Sequence, residues 1–200
     1  SHVEDYCRAP RLILTTRCHG YIIGDRNNED QDCLIASWNG KGGGPMAKGI
    51  VVYESKYGNT KLVAESIIEG MRQVSGVETV LSELKEVNLN QLIEFDAILV
   101  GSPKHIGSAT RSIRKFIDKL GKLNLEGKLA AVFDTYIGKD FEKAVKKMEK
   151  QIGERVPGLK LATPCLSILV NGMEGPIAEG ELPKCKEFGV KIATQLKDQA

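Results

Sequence analysis

Long apolar runs are missing from this 200-residue chain. None approaches the roughly 20 residues that a bilayer-spanning helix needs, so no membrane insertion is expected. The N-terminus lacks a basic region followed by an apolar stretch, and a cytoplasmic protein without an export signal is the expectation. Cysteines are few and scattered: Cys7, Cys18, Cys33, Cys165 and Cys185 are separated by 11, 15, 132 and 20 positions, which fits no CxxC metal site or redox pair. No metal site is expected. Charge of one sign is also scarce, with 28 Lys and Arg against 26 Asp and Glu, and basic residues are not interleaved with the 6 % of aromatics. Together with the lack of any recognition module, this argues against nucleic acid as a partner. What the chain does have is 42 % apolar content, enough for one ordinary domain with a small appendage.

Composition changes abruptly near residue 45. Asn39-Gly40-Lys41-Gly42-Gly43-Gly44-Pro45 reads as a turn and a glycine-rich linker, and Met46 follows it as a plausible original start. Residues 1–45 read as a short irregular or β-like extension, with runs at 12–16, 21–23 and 33–38 and no helical periodicity. Such a piece buries little surface alone. Three readings compete: a natural extension that binds a separate partner, a foreign peptide fused to a carrier, and a disordered leader. The Gly-Gly-Gly-Pro-Met junction and the tag-like Ser1-His2 favour fusion. The three cysteines before the linker allow one internal bridge with a thiol left over. Cys165 in an apolar run and Cys185 on a helix face read as inert core residues.

From residue 46 to 200 the pattern alternates. Strand-like runs at 50–53, 78–81, 97–100, 129–133 and 161–170 are separated by segments with apolar residues three and four apart. The inner helix faces are Val63, Ile67 and Met71; Ile113, Phe116, Ile117 and Leu120; Phe141, Val145, Met148 and Ile152; Phe188, Ile192 and Leu196. A short or poor helix is expected over 88–95. Alternating strands and helices predict an α/β fold: a parallel sheet covered by helices on both faces, joined by right-handed crossovers.

The most specific stretch is Ser55-Lys56-Tyr57-Gly58-Asn59-Thr60, between the apolar run 49–53 and a helical segment. A strand turning through hydroxyl, amide and glycine residues into a helix makes a phosphate cradle, because the first helical N–H groups and the positive end of the dipole face an anion. The plainer alternative is a tight turn at Gly58-Asn59 with Thr60 as cap. The wider pattern decides between them. Val51-Val52-Tyr53, Ser55, Gly58, Thr60, Ala64 and Ile67, at these offsets, resemble the opening signature of the flavodoxin family.

The resemblance covers residues 46–200. It implies a flavodoxin-like three-layer sandwich, a five-stranded sheet of order 2-1-3-4-5, and non-covalent FMN. Ligands in such sheets bind beyond the strand carboxyl ends where the winding reverses. Three loops are therefore expected to converge. The first takes the phosphate. The second, Ser102, Pro103, Lys104, His105, Ile106 and Gly107, resembles the family's Gly-Ser-Pro loop and passes the ring, and Gly107 can turn its peptide toward the reduced ring. The third, Asp134, Thr135, Tyr136 and Gly138, offers Tyr136 for stacking. His105 and Ile106 replace the aromatic that many relatives carry, leaving one face of the ring more open.

Residues 46–200 hold 23 basic and 20 acidic residues, whereas flavodoxins are typically acidic. A single cation such as Lys104, about 5 Å from the ring at an effective dielectric of about 20, would stabilise an anionic reduced ring by about 3 kcal/mol at most. A less reducing flavin is thus expected. The functional expectation is a low-potential one-electron carrier between redox partner proteins, with no catalytic acid or base. An FMN-dependent NAD(P)H:quinone or related oxidoreductase is the alternative, and a carrier presenting the fused N-terminal peptide is a third. Arg111, Arg114, Lys115, Lys119, Lys122 and Lys128 read as a solvated face, with a docking patch as the alternative.

Overall fold

Apolar runs flanked by amphipathic segments fold into a parallel sheet between two helical layers. The computed structural model describes residues 46–199. The Gly-rich junction, the β-like runs, Cys7, Cys18, Cys33 and every reading placed on residues 1–45 lie outside the described residues. In chain order the elements are β1 (Ala47–Tyr53), α1 (Asn59–Met71), β2 (Val77–Glu83), 3-10 turns at Leu84–Glu86 and Leu89–Glu94, β3 (Ala97–Pro103), α2 (Arg111–Leu120), β4 (Leu129–Tyr136), α3 (Lys143–Arg155), β5 (Lys160–Leu161), β6 (Leu166–Leu169) and α4 (Glu181–Lys197). None of these helices is long and apolar enough to cross a membrane.

The strand order is β2-β1-β3-β4-β5, as the resemblance implies, with every ladder parallel. The last position is filled by two short strands where one was expected. β5 pairs with Leu129 and Ala130, and β6 pairs further along β4, with Phe133 to Tyr136. Between them Pro164 has no N–H to give the ladder. β1, β3 and β4 are buried on both faces, which is why they read as continuous apolar runs. Val51, Leu99, Ala131 and Phe133 pack under α1 and α4. Ile50, Val52, Ile98, Val100 and Val132 pack under α2 and α3.

The expected helix faces are buried, with one correction. Phe141 is 58 % exposed. It precedes Lys143, the first residue of α3, so the helical period that joined it to Val145 does not apply. Its ring meets Tyr136 edge-on, 5.7 Å between centroids. Cys185 is buried and its Sγ lies 3.3 Å from the Glu181 carbonyl, while Cys165 is half-buried and points at the Ala162 carbonyl. Burial pushes the Cys185 thiol up to about 12, and that of Cys165 up as well, so both stay protonated and unreactive.

Two features fix the helices in depth. Gly70 of α1 and Gly189 of α4 let those helices touch backbone to backbone: a Cβ on Gly189 would stand 2.1 Å from the Ile67 carbonyl oxygen, and one on Gly70 2.0 Å from that of Lys186. On the other side, Asp134 is fully buried at the end of β4. Its carboxyl accepts from Ser167 Oγ at 2.6 Å and from the Val145 N–H at 3.1 Å, tying β4 to β6 and to the first turn of α3. Glu142, the cap of α3, supplies no side-chain bond, so Asp134 does that work from the sheet.

Two stability tests follow. Gly189→Ala should lose about 1–3 kcal/mol by overpacking. Gly153→Ala, in α3 with nothing within 4 Å of the added carbon, should gain about 0.5–1 kcal/mol. Urea unfolding measures both, and equal effects would contradict the packing argument. The second test concerns Asp134, whose pKa burial raises from 3.8 to about 6 against the opposing hydrogen bonds. The folded form holds this proton more tightly than the unfolded chain. Stability from this group is therefore present below 3.8 and lost as pH rises to about 6, a displacement of about 3 kcal/mol. Asp140, held down to about 2 by Lys104 and Lys143, acts only below that window. Thermal melts of Asp134→Asn between pH 4 and 6.5 should be flatter than those of the parent chain.

Candidate functional site

The carboxyl ends of β1, β3, β4 and β6 open into one cavity of about 680 Å³. That lies within the ~300–1,000 Å³ range of cofactor sites. Its floor is the turn from β1 into α1. Gly58 takes φ 89° at the helix cap, where an L side chain is strained, and its N–H donates to Ser55 Oγ at 3.1 Å. No side chain caps α1, so its opening N–H groups keep their donor capacity beside the cavity. Thr60 is not the cap. Its hydroxyl is buried and meets Thr135 Oγ1 at 2.9 Å, joining this turn to β4. Asn59 Nδ2 donates to the Met173 carbonyl at 3.4 Å. Lys56 lies 5.1 Å over the Tyr57 ring.

The second loop forms one wall. His105 and Ser108 exchange N–H···O bonds of 2.7 and 3.1 Å around Ile106 and Gly107, both at positive φ, 48° and 69°. For glycine this is easy. For a β-branched residue it is strained, and Ile106 is also 89 % exposed. Scaffold bonds hold the loop: the Lys104 N–H donates to the Thr135 carbonyl at 2.8 Å, and the Thr110 N–H to Ser102 Oγ at 3.0 Å. Thr110 caps α2 by accepting from the Ile113 N–H, and its own hydroxyl donates to Glu54.

Opposite stands the end of β4. The ammonium of Lys104 is paired with Asp140, which also binds Lys143. These two cations hold the Asp140 carboxyl down to about 2. The Lys104 charge, which the sequence offered as a single cation near the ring, arrives already matched by a residue 36 positions later.

Of the expected contacts, Ser55, Lys56, Tyr57, Asn59, Thr60, Pro103, Lys104, His105, Ile106, Gly107 and Thr135 line the cavity. Gly58, Ser102, Asp134, Tyr136 and Gly138 do not. Gly58 shapes the turn, Ser102 and Asp134 bind neighbouring backbone, and Tyr136 leans on Phe141 while Ile137 takes the cavity side. The expected contacts did not include Glu54, Glu83, Thr110, Ile137 or Asp140, or a whole fourth loop, Val170, Gly172 and Met173. The dipeptides Asn171-Gly172 and Gly175-Pro176 after the last apolar run were its available turn signal.

This arrangement fits FMN. The uncapped first turn of α1, with Ser55, Asn59 and Thr60 around it, matches a phosphate, and the walls at Pro103 to Gly107, Ile137 and Met173 present apolar surface for a flat ring.

Comparison with other proteins agrees. Residues 50–163 match the family model described as a flavodoxin domain. A flavodoxin of Aquifex aeolicus is 34 % identical over 93 residues, 45 % of this chain and 50 % of that protein. One from Clostridium saccharobutylicum is 35 % identical over 85 residues, 42 % of this chain and 53 % of that one. The chain thus spans about half the length of these curated relatives. Among solved structures, a flavodoxin from the domain Archaea superposes with TM-score 0.66 at 32 % identity, covering 75 % of this chain and 99 % of the other. With a family match over more than half its length, laid over the same strands and cradle, the chain belongs to the flavodoxin family.

Proposed function

We propose that the protein is a low-potential, FMN-dependent one-electron carrier between redox partner proteins. The observation that carries this reading is the uncapped, glycine-started helix α1 at the floor of an open cavity with apolar walls. FMN is the cofactor of the family, and when bound it supplies one- and two-electron redox chemistry. The chain's own residues bind, orient and tune it. The α1 amides with Ser55 and Asn59 would hold the phosphate, and Thr60 braces the turn on Thr135. Pro103 to Gly107 and Ile137 would flank the ring from the cavity wall, with Ile106 itself turned to solvent.

The carboxylates that line the cavity are all engaged: Glu54 by Thr110, Glu83 by Lys85 at 2.8 Å, and Asp140 by Lys104 and Lys143. Such an arrangement suits a carrier better than an enzyme needing a free acid or base.

Titration of the FMN-free protein tests the first half. FMN should quench with a Kd at least about 100-fold below that of riboflavin, because two charge-assisted phosphate contacts contribute about 3–6 kcal/mol together. Equal affinity, or a colourless protein that takes up no FMN, would sink the reading. Stopped-flow mixing with NADH or NADPH tests the second half, and rapid flavin reduction would favour the oxidoreductase. Asp140→Asn, which frees the Lys104 charge, should raise the flavin's reduction potential in a spectroelectrochemical titration.

A further inference from the structure

Charge is not spread evenly over the two helical layers. α2 and α3 carry nine Lys or Arg against three Asp or Glu, while α1 and α4 carry five against four. The excess begins where helix physics disfavours it. The first turns of α2 and α3 contain no acidic residue and hold Arg111, Arg114, Lys143 and Lys146 instead. Each cation there opposes the helix dipole, whereas α4 opens on Glu181. Arg111 and Arg114 have, among the described residues, no ion pair to offset that placement.

Both basic turns stand at the rim of the cavity. Arg111 directly follows Thr110, and Lys143 lies one helical turn beyond Asp140; Thr110 and Asp140 both line the cavity. Lys143 and Lys146 are partly answered by Asp140 and Glu142. Arg111, Arg114, Lys115 and Lys147 are exposed and, among the described residues, form no ion pair. The helices present one surface, since Gln151 Nε2 of α3 donates to the Arg114 carbonyl of α2 at 2.9 Å and to Asp118 Oδ1 at 3.0 Å. Ile106, on the cavity wall, is 89 % exposed, Met173 and Ile137 there are exposed in part, and Phe141, next to the cavity-lining Asp140, is 58 % exposed.

We propose that the basic α2/α3 face, with Ile106 and Phe141 as apolar anchors, docks a partner protein whose contact surface is acidic around an apolar centre. This deepens the carrier reading and rests on it, because the same face brings the partner to the cavity mouth. Exposed cations ringing apolar anchors are the two halves of a protein interface: the charges steer the encounter, and the buried anchors hold it. The apolar pair favours a protein over a nucleic acid, whose phosphates would engage the cations alone.

The test uses the full ¹⁵N-labelled chain and the soluble acidic domain of cytochrome b5 as probe. At low salt the probe should shift amides of residues 105–107, 111–115 and 141–147. Raising the salt from about 20 to about 300 mM should weaken binding at least about 10-fold. Arg114→Glu with Lys147→Glu should weaken it comparably, while Lys191→Glu with Lys197→Glu on α4 should not. Circular dichroism and FMN titration of both double variants check that fold and cavity are intact. Shifts on α1 and α4, no binding at millimolar probe, equal losses in both variants, or tighter binding of a duplex oligonucleotide would each overturn the proposal. The footprint needs no flavin. A protein that takes up no FMN therefore sinks the carrier reading, and one with a normal flavin spectrum but no footprint sinks the docking surface.

Discussion

Backbone contact between α1 and α4 is the constraint on which the rest hangs. Two glycines, Gly70 and Gly189, remove the side chains that would hold these helices apart. The approach lets Val63, Ile67 and Met71 reach the sheet on the same level as Phe188, Ile192 and Leu196. Gly49 of β1 belongs to the same fit, because a Cβ there would meet the Met71 side chain at 2.7 Å. Since α1 begins at the cavity floor, its depth on the sheet sets the height of the phosphate cradle above the strand ends. A contact at the closed side of the molecule thus determines geometry at the open side.

How much of this could be read from residues alone divides along a physical line. The strands were legible because β1, β3 and β4 are buried on both faces and cannot carry polar residues. The cradle was legible because glycine, hydroxyl and amide residues fall within six positions, so local chemistry determines its shape. What failed was side-chain direction at element ends. Tyr136 and Ile137 differ by one position, and which of them faces the cavity depends on where β4 stops. Phe141 kept perfect helical spacing with Val145, yet Lys143 starts the helix. The pairing of Lys104 with Asp140 joins two loops through tertiary structure, and no local pattern announces it.

Electrostatics around the site follow from the same architecture. Every helix in a parallel sheet of this kind points its N-terminus toward the strand carboxyl ends, so the mouth collects positive dipole ends before any side chain is added. Acidic residues there relax that field; the cations of α2 and α3 add to it. Asp134 sits beneath α3 as the buried acceptor for its first turn, where burial raises its pKa and the bonds it accepts pull the other way.

Ile106 has a thermodynamic consequence of its own. A β-branched residue held at φ 48° costs roughly 1–3 kcal/mol, and the surrounding bonds at Lys104, His105 and Ser108 keep it there. This loop is a loaded spring at the edge of the cavity. Any bound molecule, or any partner, that allows the turn to relax recovers the stored energy as affinity, while one that leaves it in place recovers none. Ligands of equal size and charge would then differ in affinity by how far each lets this one turn relax.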